Sequence, residues 1–419
     1  GVHTNWQSDE IPLHMPDSIR EKARIFAYHS SKAKTKKGQL QRDLLLNHKC
    51  FAVLLVSYEA TITTAFKAFA KKFLTKRRAM LALDESHRIK SASSKVKMTV
   101  VAMGAYAPYR RIMTGTPVEV PPDIYSQIRF LSPDFWKRKG LPTKTEFDNY
   151  FCIFQDRKFG ARQFKQVVGY RNLETLAKWV GETGYRVTME MAGIHLPPIT
   201  YTKRYHEMFP EQRRMYDDLR SEFRTEFADG KEVEAEAAIT RLLRLQQVIC
   251  GYLGTGPGEP IRAIDPKKNP RLEVAVDDIL LDLPHQALVW CRFTEDVDQL
   301  MRALGKKAAR YDGQVDADGR SFAKAAFQKG DIQFMVLTDA GAEGITLVGA
   351  KTALFYSNDF KMIKRLQKEK RNHRIGQQDP VTIVDLQCEN TVDGQIIDAL
   401  RSKFDLASIV NGDTLRTWI

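Results

Sequence analysis

The chain has 419 residues, enough for two or three domains that each bury a core of their own. With 43% hydrophobic and 28% charged residues it has the composition of a folded globular protein, which excludes a disordered chain, and its longest apolar runs are far too short to cross a bilayer. The 65 Lys and Arg against 51 Asp and Glu leave a net charge of +14, which favours a polyanionic partner over a merely solvated basic surface.

Short apolar runs recur along the chain. Phe51–Val56, Ala79–Leu83 and Arg111–Met113 form a first cluster, and Ala287–Cys291, Phe334–Leu337, Thr352–Tyr356 and Val381–Leu386 form a second. Separated by segments long enough for helices, they predict strands buried on both faces, hence two parallel sheets of α/β type. Between the clusters the texture changes. Asp134 to Trp179 is rich in aromatic and basic residues, and Pro210 to Cys250 spaces Leu, Tyr and Phe helically among charges, so both read as helical insertions. Gly251 to Pro270 is dense in Gly and Pro. It reads as a flexible connection, since no buried strand precedes its glycines and Pro257 interrupts any following helix.

Basic residues cluster at Lys32, Lys34, Lys36 and Lys37, at Lys71, Lys72, Lys76, Arg77 and Arg78, and at Lys137 to Lys139. Cys50, Cys152, Cys250, Cys291 and Cys388 are isolated, without C-x-x-C spacing, which points to reduced thiols rather than a disulfide framework or zinc site. With no signal segment evident, the expected location is the cytoplasm, and a bacterial or phage-infected cell is the expected host. Trp6, Trp136 and Trp179 are read as packing residues, and His14, His29 and His206 lack metal-ligand spacing.

Two motifs carry the chemistry. In "LALDESHRIK" an apolar strand delivers adjacent carboxylates, Asp84 and Glu85, to the carboxyl edge of a sheet, where open α/β folds bind ligands. Asp84 suits a magnesium ion held through water, and Glu85 suits the orientation or deprotonation of an attacking water. His87, Arg88 and Lys90 follow in order. Nearly three hundred residues later, "RLQKEKRNHRIGQ" sets Arg371 and Arg374 at one-turn helical spacing, where guanidinium groups can meet charge developing on a transferring phosphoryl group. No G-x-x-x-x-G-K-[ST] loop occurs to cradle phosphates, so the expectation is that such a loop lies upstream of residue 1.

Taken together these segments resemble the Swi/Snf-type family of helicase superfamily two, DNA-dependent ATPases that translocate on double-stranded DNA. "GVHTNW" resembles motif Ia, "LLVSYE" motif Ib, "LDESHRIK" the DEAH-like motif II and "RIMTGTPVE" motif III; "ALVWCRFTEDVDQL", "VLTDAGAEGITL" and "QKEKRNHRIGQ" resemble motifs IV, V and VI. The resemblance implies two RecA-like parallel-sheet lobes with helical insertions between them, ATP and Mg2+ as cofactors, and sequence-independent contacts to the DNA backbone. It implies catalytic roles for Asp84, Glu85, His87, Arg371 and Arg374, nucleotide contacts for Gln367 and Gly344, coupling through Thr114, Gly115 and Thr116, and DNA contacts for Thr338 and Gly341. The expected division is a first lobe over 1–200 with an insertion at about 132–180, a helical linker over 201–268 and a second lobe over 269–419. Departures from the family pattern are Val118, Glu119 and Val120 after "TGTP", and Ala342 and Thr346 in motif V.

The leading expectation is therefore an ATP-dependent translocase or remodeller on duplex DNA. Its alternatives are a strand-separating helicase of the same superfamily and a non-catalytic nucleic-acid-binding remnant.

Overall fold

Four strands of the N-terminal half pair two by two. A computed structural model describes residues 6–91, 94–159, 162–228, 235–254, 261–339 and 345–411. In it, β1 (Arg24–Ala27) runs parallel to β2 (Ala52–Leu55), and β3 (Met80–Asp84) runs parallel to β4 (Tyr109–Met113) with Asp84 opposite Met113. Helices start where a hydroxyl can accept from an otherwise unpaired amide: Thr35, Thr63 and Ser94 cap Lys36–Asn47, Thr64–Arg77 and Lys95–Gly104. Tyr28, Phe66, Phe69 and Phe73 pack as a core above the β1–β2 pair, while Leu83, Ile89, Val100 and Phe130 pack beside β3.

The expectation of strands buried on both faces fails in this half. β1 and β2 are only half-buried, and Tyr109, Arg111 and Met113 of β4 are exposed. "YRRIM" alternates in character as a one-sided strand does, which its apolar end obscures.

The region from about 132 to 180 is not wholly helical. Helices Phe135–Arg138, Lys144–Phe151 and Leu173–Gly181 are present, and between them β5 (Cys152–Phe159) and β6 (Arg162–Tyr170) pair as a two-stranded sheet. Trp136 is buried and stacked on Tyr125 at 5.8 Å, and Trp179 is stacked on Tyr150 at 5.9 Å, in accord with packing roles.

The chain divides into two compact units. The first comprises the chain up to Phe154, Val167–Tyr185 and a stretch from Leu406; the second comprises Gln155–Gln166 and Arg186–Asp405. In the second unit β7 (Ile199–His206) and the helices Pro210–Ala228 and Ala235–Ile249 precede a short antiparallel pair, β8 (Tyr252–Leu253) and β9 (Arg262–Ala263). Then follow β10 (Ala287–Trp290), β11 (Ala308–Tyr311), β12 (Phe334–Leu337), β13 (Thr352–Phe355) and β14 (Val381–Cys388). Six of these form one parallel sheet in the order β11-β12-β10-β13-β14-β7. β10, β12 and β13 are buried throughout, as their continuous apolar runs require, with one core cluster on each face. Because β7 pairs with β14 along eight residues, the second sheet includes a strand from the boundary of the segment expected to be a helical linker over 201–268.

Two buried arginines knot this unit. Arg271 donates to Asp393 at 2.7 Å, to the carbonyl of Tyr356 at 2.8 Å and to that of Leu386 at 2.9 Å, and meets His206 Nε2 at 3.1 Å. Arg365 donates to both oxygens of Asp385 at 2.5 and 2.9 Å and to Glu369 at 2.6 Å, with its guanidinium 3.5 Å from the Phe355 ring centre. Fully desolvated ions are tolerable only with every donor engaged. Burial, with Arg271 next to it, pushes the His206 imidazole down to about 2, so the ring stays neutral and accepts from the guanidinium.

Two outcomes follow for this core. Arg271→Ala strands Asp393 and two carbonyls, and urea unfolding followed by circular dichroism should show a loss of about 3–5 kcal/mol; a loss within about 0.5 kcal/mol would show that the knot is dispensable. For His206 the unfolded chain takes up a proton below about pH 6.5 that the folded chain refuses, so this group lowers stability as pH falls from there. Imidazole NMR shifts should show His206 untitrated down to about pH 4, whereas a midpoint near 6.5 would mean that the ring is solvated.

Candidate ATPase site

Asp84 ends β3 at its carboxyl edge, and the chain turns sharply there. Glu85 takes a left-handed backbone (φ 49°, ψ 55°), unusual for a residue with a side chain, before a single 3-10 turn over Ser86–Ile89. Four contacts hold the turn. Asp84 Oδ1 accepts from the Glu85 amide at 3.0 Å, Tyr58 donates its hydroxyl to the Asp84 carbonyl at 2.7 Å, Trp6 Nε1 donates to Asp84 Oδ2 at 3.1 Å, and buried Ser86 donates to Gln127 at 2.7 Å. Burial, with Asp84 near, raises the Tyr58 phenol well above its ordinary range, so it remains a donor.

The next loop is drawn to the same place. Thr114, directly after β4, donates to Glu85 Oε2 at 3.2 Å and lies 3.4 Å from His87 Nδ1, and that nitrogen is 3.2 Å from the same carboxylate oxygen. Thr116 is buried, and its amide donates back to Thr114 Oγ1 at 3.2 Å. Thus Asp84, Glu85, His87 and Thr114 meet in one cluster, with Gly115 and Thr116 on the adjoining loop.

Two links that sequence reasoning missed, one buried and one partly buried, join these loops. Gln127 accepts from Ser86 and donates to the carbonyls of Pro117 at 2.6 Å and Asp123 at 3.1 Å. Lys90 pairs with Glu119 and lies 3.4 Å from Asp123, whose Oδ2 also accepts from the amides of Glu119 at 2.9 Å and Val120 at 3.3 Å. Burial pushes the Lys90 ammonium down, but Asp123 and Glu119 outweigh it and hold its pKa above the usual range. The Glu119 departure was visible in the sequence; its partner was not.

In the second unit the helix Met362–Glu369 carries Gln367 and ends before Arg371 and Arg374. Those arginines lie in successive turns beyond the helix, which corrects the expectation of helical spacing. The turns are pinned by the rest of "NHRIGQ". Asn372 donates to the Ala350 carbonyl at 3.3 Å, His373 Nε2 lies 2.8 Å from the Pro197 carbonyl, and the Gln377 amide reaches the carbonyls of Val348, Asn372 and Ala350 at 2.8 to 3.1 Å. Gly376 sits at φ 101°, which a side chain would strain. Arg371 donates to the Ile345 carbonyl at 3.2 Å, and Arg374 is half-buried.

Thr338 follows β12 at the carboxyl edge and is buried. Beside it Asp339 pairs with Lys368 at 2.6 Å and with Lys364; burial opposes its charge, yet Lys368 and Lys364 hold its carboxyl below the usual range. Gly341, Ala342 and Gly344 lie outside the described residues.

A family model described as SNF2-related domain matches residues 2–252, more than half of the chain, and one described as helicase conserved C-terminal domain matches residues 271–376. The chain belongs to the SNF2-related family. The family's helicase-like ATPase cores account for the α/β architecture with its parallel sheet. Similar curated proteins include mouse chromodomain-helicase-DNA-binding protein 1-like, 27% identical over 90% of this chain and 40% of that protein. Another is human SWI/SNF-related matrix-associated actin-dependent regulator of chromatin subfamily A member 1, 28% identical over 85% of this chain and 34% of that protein. The chain therefore spans well under half the length of these relatives. A solved Sulfolobus solfataricus SWI2/SNF2 ATPase core in complex with dsDNA covers 98% of this chain and 80% of its own at 20% identity and a TM-score of 0.41. The expectation of a cytoplasmic protein from a bacterial or phage-infected cell is corrected by these relatives. They are eukaryotic proteins named for chromatin, and they point to the nucleus instead.

The buried relay gives a direct test in this SNF2-related first unit. Gln127→Ala leaves the Ser86 hydroxyl and the Pro117 carbonyl unpaired in the core, and should cost about 1–3 kcal/mol in thermal or urea unfolding. Gln127→Glu, with an acceptor retained and the donor lost, should be impaired as well, and full stability in both would exclude the relay.

Proposed function

We propose that the chain carries the motor of an ATP-dependent translocase or remodeller on double-stranded DNA, with nucleotide hydrolysis coupled between two lobes. The reading rests above all on the cluster at the carboxyl edge of β3, where Glu85 is bonded to Thr114 and His87. A carboxylate so held can orient a water or accept its proton, and Thr114 links its position to the loop that follows β4. Arg371 and Arg374, on a turn pinned by its neighbours, are suited to act as fingers on the phosphoryl group, with Gln367 and Gly344 near the nucleotide.

The donor set suits magnesium. Magnesium is commonly held by one or two carboxylates together with water and phosphate oxygens, a role open to Asp84 at the end of β3. When bound with ATP, the ion would neutralise phosphate charge; Asp84 would hold it through water, in place of the present bond from Trp6. The net charge of +14 favours duplex DNA as the polyanion, gripped through phosphates without sequence readout, with Thr338 and Gly341 near its backbone. The helicase and DNA-binding names of the relatives support the same partner.

The G-x-x-x-x-G-K-[ST] motif does not occur in the sequence, so the 419-residue chain should turn over ATP slowly even with duplex DNA. A longer form that supplies the loop should hydrolyse ATP when DNA is added. In that form Glu85→Gln, Arg371→Ala or Arg374→Ala should each lower turnover by about 10³ or more while DNA affinity changes little. Parallel losses of affinity and turnover would instead put the arginines on DNA, and robust turnover by the short chain, lost in Glu85→Gln, would remove the need for the loop.

A further inference from the structure

The turn after β3 and the loop after β4 are tied to each other in one register. Thr114 donates to Glu85 at 3.2 Å and Lys90 donates to Glu119, and each tie joins residues 29 apart in the chain. A slide or swing of the loop at Thr114 therefore strains the tie at Glu119 as well. Between the ties Thr116 and Val118 are buried, and the Thr116 amide donates to Thr114 Oγ1 at 3.2 Å, so the loop has little slack.

The second tie is an ammonium shared by two carboxylates. Lys90 Nζ also lies 3.4 Å from Asp123 Oδ2, an oxygen that accepts the amides of Glu119 at 2.9 Å and Val120 at 3.3 Å. Glu119 is only 9% exposed, which leaves its charge poorly solvated. Without the ammonium, two carboxylates would stand close together where water screens them weakly, and movement of the loop would relieve their repulsion. Lys90, Glu119 and Asp123 make no contact with Asp84 or Glu85 among the bonds described above, so their effect on the carboxylate cluster is one of placement.

We infer that Lys90 and Glu119 are positioning residues for ATP hydrolysis: their ion pair, shared with Asp123, fixes the loop after β4 so that Thr114 stays on Glu85. This rests on the hydrolytic reading above and adds the pair to the residues that serve Glu85.

Hydrogen exchange of the Thr116 amide in the 419-residue chain without nucleotide tests the placement, and kcat and KM for ATP in the longer, ATP-hydrolysing form test its use. Lys90→Met should speed Thr116 exchange at least about tenfold. It should lower kcat about 10–100-fold while KM for ATP and duplex affinity stay within about twofold. Lys90→Arg, still a cation within reach of both carboxylates, should keep exchange and kcat near those of the unsubstituted protein. In Lys90→Met with Glu119→Gln one of the two facing charges is gone, so part of the lost Thr116 protection should return. Should Lys90→Met fail to fold, Glu119→Gln, with Lys90 still on Asp123, carries the test with smaller changes in the same direction.

Unchanged Thr116 exchange in the folded variants would overturn the inference, as would faster exchange with unchanged kcat. A double variant worse than Lys90→Met would show that the side chains act by packing, and would overturn it too. An unsubstituted longer form without ATPase activity would overturn it together with the hydrolytic reading.

Discussion

The left-handed backbone at Glu85 is the constraint on which the first site depends. A residue with a Cβ pays roughly 1–3 kcal/mol to sit there, and does so only where its surroundings leave no alternative. Those surroundings are specific: the bonds to Asp84 from its own neighbour's amide and from Tyr58 and Trp6, and the Ser86–Gln127 relay below. The turn directs two consecutive carboxylates away from each other. Asp84 remains with β3, and Glu85 swings to Thr114 and His87.

The second unit reaches a comparable end by different means. Its basic helix does not present its charge freely, because Arg365 is consumed by Asp385 and Glu369, and Lys364 and Lys368 by Asp339. What the helix provides is a rigid base. Beyond its end, amide and imidazole groups of Asn372, His373 and Gln377 tie down backbone carbonyls, so that Arg371 and Arg374 start from a turn whose backbone is pinned. Pre-organisation of this kind lets a guanidinium stabilise charge without first being ordered.

Much of this could be read from the residues, and the failures are physical. The buried strands β10 and β12 announce themselves as unbroken apolar runs, β13 and β14 as largely apolar ones, and Asp84 and Glu85 are recognisable at the end of another. β7 escaped because "ITYTKRYH" mixes charges into a half-buried strand, and β11 because "AARY" is short and only partly apolar. The β5–β6 pair was hidden by its charge, since exposed strands carry no buried face to mark their period. Gln127 could not be assigned at all: it lies 41 residues from Ser86, and only the packing of the helix Ile124–Leu131 brings them together.

The central claim is that ATP use moves this protein along duplex DNA without parting the strands, and triplex displacement addresses it most directly. A form that hydrolyses ATP is given a duplex bearing a third strand and, in parallel, a forked duplex. The account predicts ATP-dependent release of the third strand with the fork left paired. Efficient unwinding of the fork with the third strand retained would contradict it and identify a strand-separating helicase.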